Sequence, residues 1–327
     1  METKSNFKAL CAEECAKRLL MIEKPVCFIH THPDGDAVGS AAALAEIYRQ
    51  LGISCPIASP DKIPERLAFI LDKTGASVAD DFSDRTPIAI DSASPSQLGS
   101  LYDEDRLPVL MIDHHKIGIP YADNFIIAEA SSSAEVLMAV ADELVSLGKI
   151  KYTQALAYAL YTAISSDTGC FKYSNATEST HRAAARLISL GIDSADINHR
   201  LFVSKTLSEI KAEGIVAKKI KTALGGKVAY AAISASELIE NSLELWHFET
   251  AIDVVRSLKD VEIAFFVKET APGKYKASLR STGIDVAKTA ADFGGGGHTR
   301  AAGCSPEADS IDGAVKMLLE KLEQTFN

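Results

Sequence analysis

Disulfide pairing has little to work with in this chain of 327 residues. Its six cysteines, at 11, 15, 27, 55, 170 and 304, are scattered, and none forms a Cys-x-x-Cys pair. That argues against a disulfide framework and for reduced thiols. Long apolar runs are missing too: no uninterrupted stretch approaches the roughly 18 residues needed to span a bilayer. The first apolar segment is interrupted by Glu13, Glu14, Lys17 and Arg18. It reads as an amphipathic helix and not as a signal peptide, so the expected location is the cytoplasm, away from membranes. Positive charge is also in short supply, with 34 Lys and Arg against 44 Asp and Glu, a net charge of −10. Such a surface repels polyanions and excludes a passive groove for long duplex nucleic acid. A small phosphate ligand stays open, because metal ions and a few cations can reverse the field inside one cleft. What is present is ordinary for a globular protein, with 47% hydrophobic and 24% charged residues, and the length suits two domains with cores of their own.

In the first half, short apolar runs at 25–30, 53–58, 86–90 and 108–112 alternate with helical patterns at 41–51, 134–147 and 153–164. Alternation of this kind predicts a parallel sheet with helices on both faces. Three strand candidates end in ionisable residues: His30, Asp91, and Asp113 with His114. Ligands of open α/β sheets bind beyond the carboxyl ends of the strands, so these segments would deliver acids and imidazoles to one crevice. A charged, mostly helical stretch then reads as a connector ended by Gly225-Gly226. Beyond it, strands at 228–233, 261–267 and 274–281 and helices at 243–258, 285–292 and 310–325 predict a smaller mixed sheet. In the strand at 274–281, Tyr275, Ala277 and Leu279 fall on one face and Lys276, Ser278 and Arg280 on the other. The expected class is α/β in two domains, 1–194 and 225–327, joined by a connector at 195–224.

Five motifs carry chemistry. In His30-Thr31-His32-Pro33-Asp34-Gly35-Asp36-Ala37-Val38-Gly39-Ser40, the proline and first glycine predict a loop between strand and helix. Two carboxylates two apart, with one or two imidazoles, make a poor apolar core and a good site for a hard metal ion. Asp91 follows an apolar run, Asp113-His114-His115 follows another, and Asp167 ends a helical one. Taken singly, each has a structural explanation as a turn, a cap or a polar helix end. Together, four acid and imidazole motifs ending elements of one domain call for a ligand. The fifth motif is Phe293-Gly294-Gly295-Gly296-Gly297-His298. Four successive glycines cost backbone entropy; they read as a phosphate-type loop, tolerated where backbone amides must approach a ligand closely.

These five motifs, in this order, resemble the DHH phosphoesterase superfamily, and most closely its branch with a C-terminal DHH-associated domain, which includes oligoribonucleases (nanoRNases) and 3′-phosphoadenosine-5′-phosphate phosphatases. The Asp-His-His triplet and the Phe-Gly-Gly-Gly-Gly-His run carry the likeness, with Thr180-His181, Ala183-Ala184 and Leu201-Phe202 adding to it. The resemblance implies that 1–194 is the metal-binding catalytic domain and 225–327 the substrate-binding one. It implies that His30 and Asp34 hold one divalent ion, that Asp36, His114 and Asp167 hold a second, and that Asp91 bridges the two. His115 would contact the scissile phosphate or leaving oxygen, and Asp113 would orient an imidazole. Arg280, the glycines 294–297 and His298 would hold the rest of the substrate. Two positions depart from the pattern: His32 stands where relatives carry Asn or Arg, and Lys172 where Arg is frequent. Lys lacks the bidentate fork, so a phosphate grip there would differ.

The donors are oxygens and imidazole nitrogens, which favours Mn²⁺, with Mg²⁺ or Co²⁺ as alternatives, over structural zinc. Two such ions can clamp the attacking and leaving oxygens of an in-line displacement. The expected substrates are short oligoribonucleotides and 3′-phosphoadenosine-5′-phosphate, with cyclic dinucleotides or their linear products third. The contrasting reading is an inactive nucleotide-binding homologue, whose sign would be a missing ligand; none of the six is missing. Oligomeric state is not written in these residues, although symmetric homodimers are the commonest soluble assemblies.

Overall fold

In the computed structural model, which describes residues 7–79 and 81–326, the chain divides into two units, 1–204 and 205–327. The first unit runs α1 (Ala12–Leu20), β1 (Pro25–Phe28), α2 (Gly35–Gln50), β2 (Ile57–Ala58), α3 (Ala68–Thr74), β3 (Thr86–Ile90), β4 (Leu110–Asp113), β5 (Asn124–Ile126), α4 (Ser133–Ser146), α5 (Gln154–Asp167), α6 (Glu178–Ile188) and α7 (Ser194–Phe202). Its five strands are all parallel, in the order β2-β1-β3-β4-β5.

Both faces of this sheet are buried, which is why its strands read as continuous apolar runs. Cys27, Ile29, Ile88, Ile90, Leu110 and Ile112 point into the α-helical side. Val26, Phe28, Ala89 and Met111 point the other way, where Leu98 and Leu101 of a 3-10 helix, Pro95–Leu101, cover them. Helical cover is thus present on both faces but unequal. β5, three residues long, has too few positions to show a period and is absent from the sequence reading.

The other departure bears on the site. The loop expected through Ser40 is helix from Gly35 on: α2 starts there, and Asp34 is its N-cap, accepting hydrogen bonds from the amides of Asp36 and Ala37 at 2.9 and 3.0 Å. Pro33 precedes the cap, where it costs nothing. Gly35 is set by packing and not by a turn, since a Cβ there would lie 2.3 Å from Ser166 Oγ. One turn on, a Cβ on Gly39 would meet Ala163 Cβ at 2.8 Å and the Ala159 carbonyl at 2.9 Å. The two glycines let α2 and α5 touch backbone to backbone, which brings the N-terminus of one helix to the C-terminus of the other.

The second unit comprises α8 (Leu207–Lys219), β6 (Lys221–Ala223), β7 (Val228–Ile233), α9 (Ala235–Glu240), α10 (Ala251–Arg256), β8 (Ile263–Ala271), β9 (Lys274–Ser281), α11 (Val286–Ala291), β10 (Gly296–His298), β11 (Ala301–Cys304) and α12 (Ile311–Phe326). Its six-stranded sheet is ordered β10-β11-β9-β8-β7-β6 and is mixed, only β7 and β8 being parallel. One face packs on α11 and α12 through Phe265, Val267, Leu279 and Leu318; the other packs on α8 and α10 through Phe266, Val216 and Val255. The helical stretch 195–224 is parted between the units, α7 lying in the first and α8 in the second. The helix expected at 243–258 is two pieces, a 3-10 helix Leu245–Phe248 and α10, a break that turns Phe248, Ile252 and Val255 into one core. The glycine run is not a loop either: its last part is β10, paired antiparallel to β11. Among the described residues no helix is long and apolar enough to cross a membrane.

Candidate metal centre

Adjacent parallel strands end together, and β1, β3 and β4 are neighbours. His30, two residues past β1, Asp91, the residue after β3, and His114, the residue after β4, therefore emerge side by side. The contact between α2 and α5 supplies Asp34 and Asp36 from one helix start and Asp167 from the other helix end. All six residues proposed as ligands from the sequence lie in one cluster. Two sets of donors, His30 with Asp34 and Asp91, and Asp36 with His114 and Asp167, each fall within 4.8 Å of one another. A third, Asp91 with His114 and His115, overlaps them.

Asp91 faces both sets. Its Oδ2 is 3.5 Å from His30 Nε2, while its Oδ1 is 3.6 Å from His114 Nε2. His30 Nε2 is also 3.8 Å from Asp34 Oδ1. His114 Nε2 is 3.8 Å from Asp36 Oδ2 and 3.7 Å from Asp167 Oδ2. These spacings are too long for good hydrogen bonds. Donors each ~2.1 Å from a common ion stand roughly 3–3.5 Å apart, close to what is seen. The tautomers agree: His30 donates through Nδ1 to the Thr31 carbonyl at 2.7 Å, and His114 through Nδ1 to the Ala130 carbonyl at 3.3 Å. With Nδ1 so engaged, it is Nε2 of each ring that faces the acids and that would offer its lone pair to an ion once deprotonated.

Four carboxylates (Asp34, Asp36, Asp91 and Asp167) with two neutral imidazoles carry a charge of 4 × (−1) = −4, which two divalent cations would balance. Without them the cluster is strained electrostatically. Burial, then Asp91, pushes Asp36 well above the usual carboxylate range; burial, then Asp34, does the same to Asp167. Burial opposes charge on His30 too, yet the nearby carboxylates of Asp34 and Asp91 raise it to about 11. Burial likewise disfavours ionised Asp91, but His30 and His114 keep it below its ordinary value. Protons stand where cations are wanted, so the donor set fits a divalent pair. The cluster opens on the side of Asp34 and Asp167, whose side chains are 50% and 27% exposed against 4% for Asp91.

Backbone strain gathers here. Of seven non-glycine residues with positive φ among those described, His32, Asp91, Cys170 and Phe171 lie in or beside the cluster. Each costs about 1–2 kcal/mol, which a fold tolerates where it aims a functional group. Asp113 and His115 form a separate pair: His115 donates through Nδ1 to Asp113 Oδ1 at 2.7 Å. Burial lowers the basicity of His115, but that bond and the Asp113 charge raise it to about 9. His32, outside the cluster, is held through Nδ1 by Asp61 Oδ2 at 2.7 Å. Lys172 lies over the Phe202 ring, 5.5 Å from its centroid.

Across the chain, residues 24–164 match the model of the DHH family, N-terminal domain, and residues 247–324 match that of the DHHA1 domain. The chain carries a DHH-family N-terminal domain and a DHHA1 domain. As a DHH protein it is a hydrolase of phosphate esters that works with divalent metal. It is 28% identical to the bifunctional oligoribonuclease and PAP phosphatase NrnA of Thermus thermophilus, with 94% of this chain and 92% of that protein aligned. It is 26% identical to the protein of the same name from Bacillus subtilis, over 95% and 99% of the two chains. In fold it is similar to an exopolyphosphatase-related protein of Bacteroides fragilis, with a TM-score of 0.86, 22% identity and coverage of 96% and 95%.

Two supports of the DHH centre escape a reading of the sequence. At the start of α4, the amides of Ser133 and Ala134 donate to Asp36 at 2.7 and 3.2 Å, and Ser133 Oγ donates to Asp91 Oδ1 at 2.9 Å. Ser131-Ser132-Ser133 before an apolar helix is an N-cap signal, but nothing local says the helix start aims at an acid 97 residues earlier. Asn175 donates to the Asp167 carbonyl at 3.1 Å and to the Ser131 carbonyl at 3.0 Å, tying the end of α5 to the start of α4. The substrate residues expected in the second unit share one sheet: Arg280 on β9 pairs with Ala301 on β11, which pairs with His298 on β10. The side chain of His298 lies outside the described residues.

Proposed function

We propose that this DHH protein hydrolyses short RNA of about two to five nucleotides to mononucleotides, and removes the 3′-phosphate of 3′-phosphoadenosine-5′-phosphate. The observation that carries this is Asp91, whose two oxygens face two separate donor sets. The names borne by the Thermus thermophilus and Bacillus subtilis relatives, aligned over more than nine-tenths of this chain, support the substrate class. His30, Asp34 and Asp91 would hold one ion, and Asp36, His114 and Asp167 the other, with Asp91 common to both. Mn²⁺ suits a set of carboxylates and imidazoles. When bound, the ions polarise the phosphate and make water nucleophilic at neutral pH.

The protein's own groups do the rest. Asp113 fixes the His115 ring and favours its protonated form, so His115 can donate a proton to the departing ester oxygen. The amides at the start of α4 hold Asp36 in place. Arg280 and the glycine strand would bind the part of the substrate that does not react, raising the rate by positioning.

The test is to incubate purified protein and Mn²⁺ with 5′-labelled RNA of about two to twenty-four nucleotides, and in parallel with 3′-phosphoadenosine-5′-phosphate, beside an Asp91→Ala control. Mononucleotides from the shortest RNAs and orthophosphate from the second substrate, both absent in the control, are the expected result. Turnover of neither would defeat this choice of substrate.

A further inference from the structure

On β9, Tyr275, Ala277 and Leu279 are buried toward α11 and α12, which turns Lys276, Ser278 and Arg280 to the other face. The register with β8 pairs Lys276 with Lys268, Ser278 with Phe266 and Arg280 with Ala264. Two lysines therefore stand directly opposite each other on one face of an antiparallel pair, an arrangement that destabilises a sheet. Neither lysine side chain makes a hydrogen bond or ion pair among the described residues. Burial depresses the basicity of half-buried Lys268; Glu249 opposes that shift, and Lys276 adds to it. Phe248, Ala251 and Val255 cover the neighbouring Ala264 and Phe266, and Lys276 is exposed beyond that cover.

The same face carries the residues read above as the substrate grip. Ser278 pairs with Gly303, which pairs with Gly296 of the glycine strand. From Arg280 to Lys276 is four residues of extended chain, about 13 Å, a length that two nucleotide units of an extended single strand can cover.

We propose that Lys268 and Lys276 form a second phosphate subsite, which binds the backbone of a short oligonucleotide beyond the nucleotide held at Arg280 and Gly296. The repulsion between two facing cations is relieved when a phosphate sits between them. The subsite makes affinity depend on substrate length: a tetra- or pentanucleotide reaches it, while a dinucleotide or 3′-phosphoadenosine-5′-phosphate does not. This rests on the reading of Arg280 and the glycine strand as the substrate grip.

The test compares wild type with the double variant K268Q/K276Q. With Mn²⁺, KM for a pentanucleotide should rise about tenfold with kcat unchanged, while both constants for a dinucleotide stay as they were. Binding of a phosphorothioate pentanucleotide should weaken similarly, and its log–log salt slope should fall by about 0.7 for each phosphate that the variant no longer neutralises. K268R/K276R should restore both, and the thermal midpoint of the glutamine variant should not drop, since a repulsion has been removed. Equal losses on penta- and dinucleotide, or none on either, would overturn the subsite. So would a wild type that binds the pentanucleotide no better than the dinucleotide. Binding with no hydrolysis of any RNA would sink the proposed activity and leave the subsite standing.

Discussion

Alanine placed singly at each of residues 294 to 297 should sort four adjacent glycines into structural and ligand-facing ones. At Gly295 a Cβ would lie 2.0 Å from the Gly303 carbonyl and 2.6 Å from Cys304 Cα, and both are backbone. β10 would have to leave β11, so we expect a loss of about 3 kcal/mol, the upper end for overpacking. At Gly297, φ is +140° and the Cβ would meet the Ala301 carbonyl at 2.5 Å, so strain and clash combine to a similar loss. Gly294 has φ of +68° but open space around it, which leaves only about 1 kcal/mol of left-handed strain. Gly296 has neither a positive φ nor an atom within 4 Å of a built Cβ. Its replacement should stabilise by about 0.4–1 kcal/mol through the unfolded chain. The fold does not need a glycine there, so a ligand's close approach is what a methyl group would obstruct. Thermal unfolding and steady-state kinetics on a dinucleotide give both readouts. Gly295→Ala and Gly297→Ala should lower the midpoint by roughly 10 °C, whereas Gly296→Ala should keep it and raise KM about tenfold or more. A Gly296→Ala enzyme with unchanged KM would refute the ligand reading of the run. A Gly295→Ala protein as stable as wild type would refute the strand pairing.

Asp91→Asn should reduce turnover by about a thousandfold or more and drop bound manganese below two per chain by elemental analysis, since one carboxylate serves both donor sets. Loading the metal-free protein near pH 8 should release protons: His30, raised to about 11, is charged there and must lose its proton to become a ligand, and Asp36 and Asp167 are pushed the same way. Metal affinity should therefore climb with pH, and calorimetry in buffers of different ionisation enthalpy counts the protons; a count of zero defeats this account. Ser133→Ala removes the hydroxyl that holds Asp91 and should weaken metal binding about 10- to 100-fold, measured by competition with a chelating dye, while the fold survives. Asp113→Asn should lower kcat more than KM on a dinucleotide, because it frees the His115 ring while leaving the six proposed ligands in place; equal effects would refute the positioning role.

Much of the molecule is legible in its sequence, for identifiable reasons. Strands buried on both faces write themselves as apolar runs, and a donor that follows such a run must emerge at a strand end; His30, Asp91 and His114 can be placed on that rule alone. Where local pattern stops informing, tertiary packing takes over. Gly35 reads as a turn residue, but its hydrogen faces Ser166 across a helix contact that no local pattern announces. The glycine run reads as a loop, although two of its members are forced by the close approach of β11. Ser133 draws no notice because its partners, Asp36 and Asp91, are remote in sequence and a place beside a helix cap is explanation enough for a serine.

The crowded carboxylates also bear on how long each molecule lasts. Asp34, Asp36, Asp91 and Asp167 repel one another in a half-sealed pocket, and their ligand partners come from segments too far apart in sequence to gather in an unfolded chain. Ions therefore bind the native state almost alone, and at a hundredfold excess over Kd they stabilise it by about 2.7 kcal/mol. That difference changes the unfolded fraction about a hundredfold, and with it exposure to proteolysis. Supply of the divalent ion would then set the abundance of the enzyme as well as its rate, so a starved cell would lose molecules it could not simply reactivate by restoring the ion.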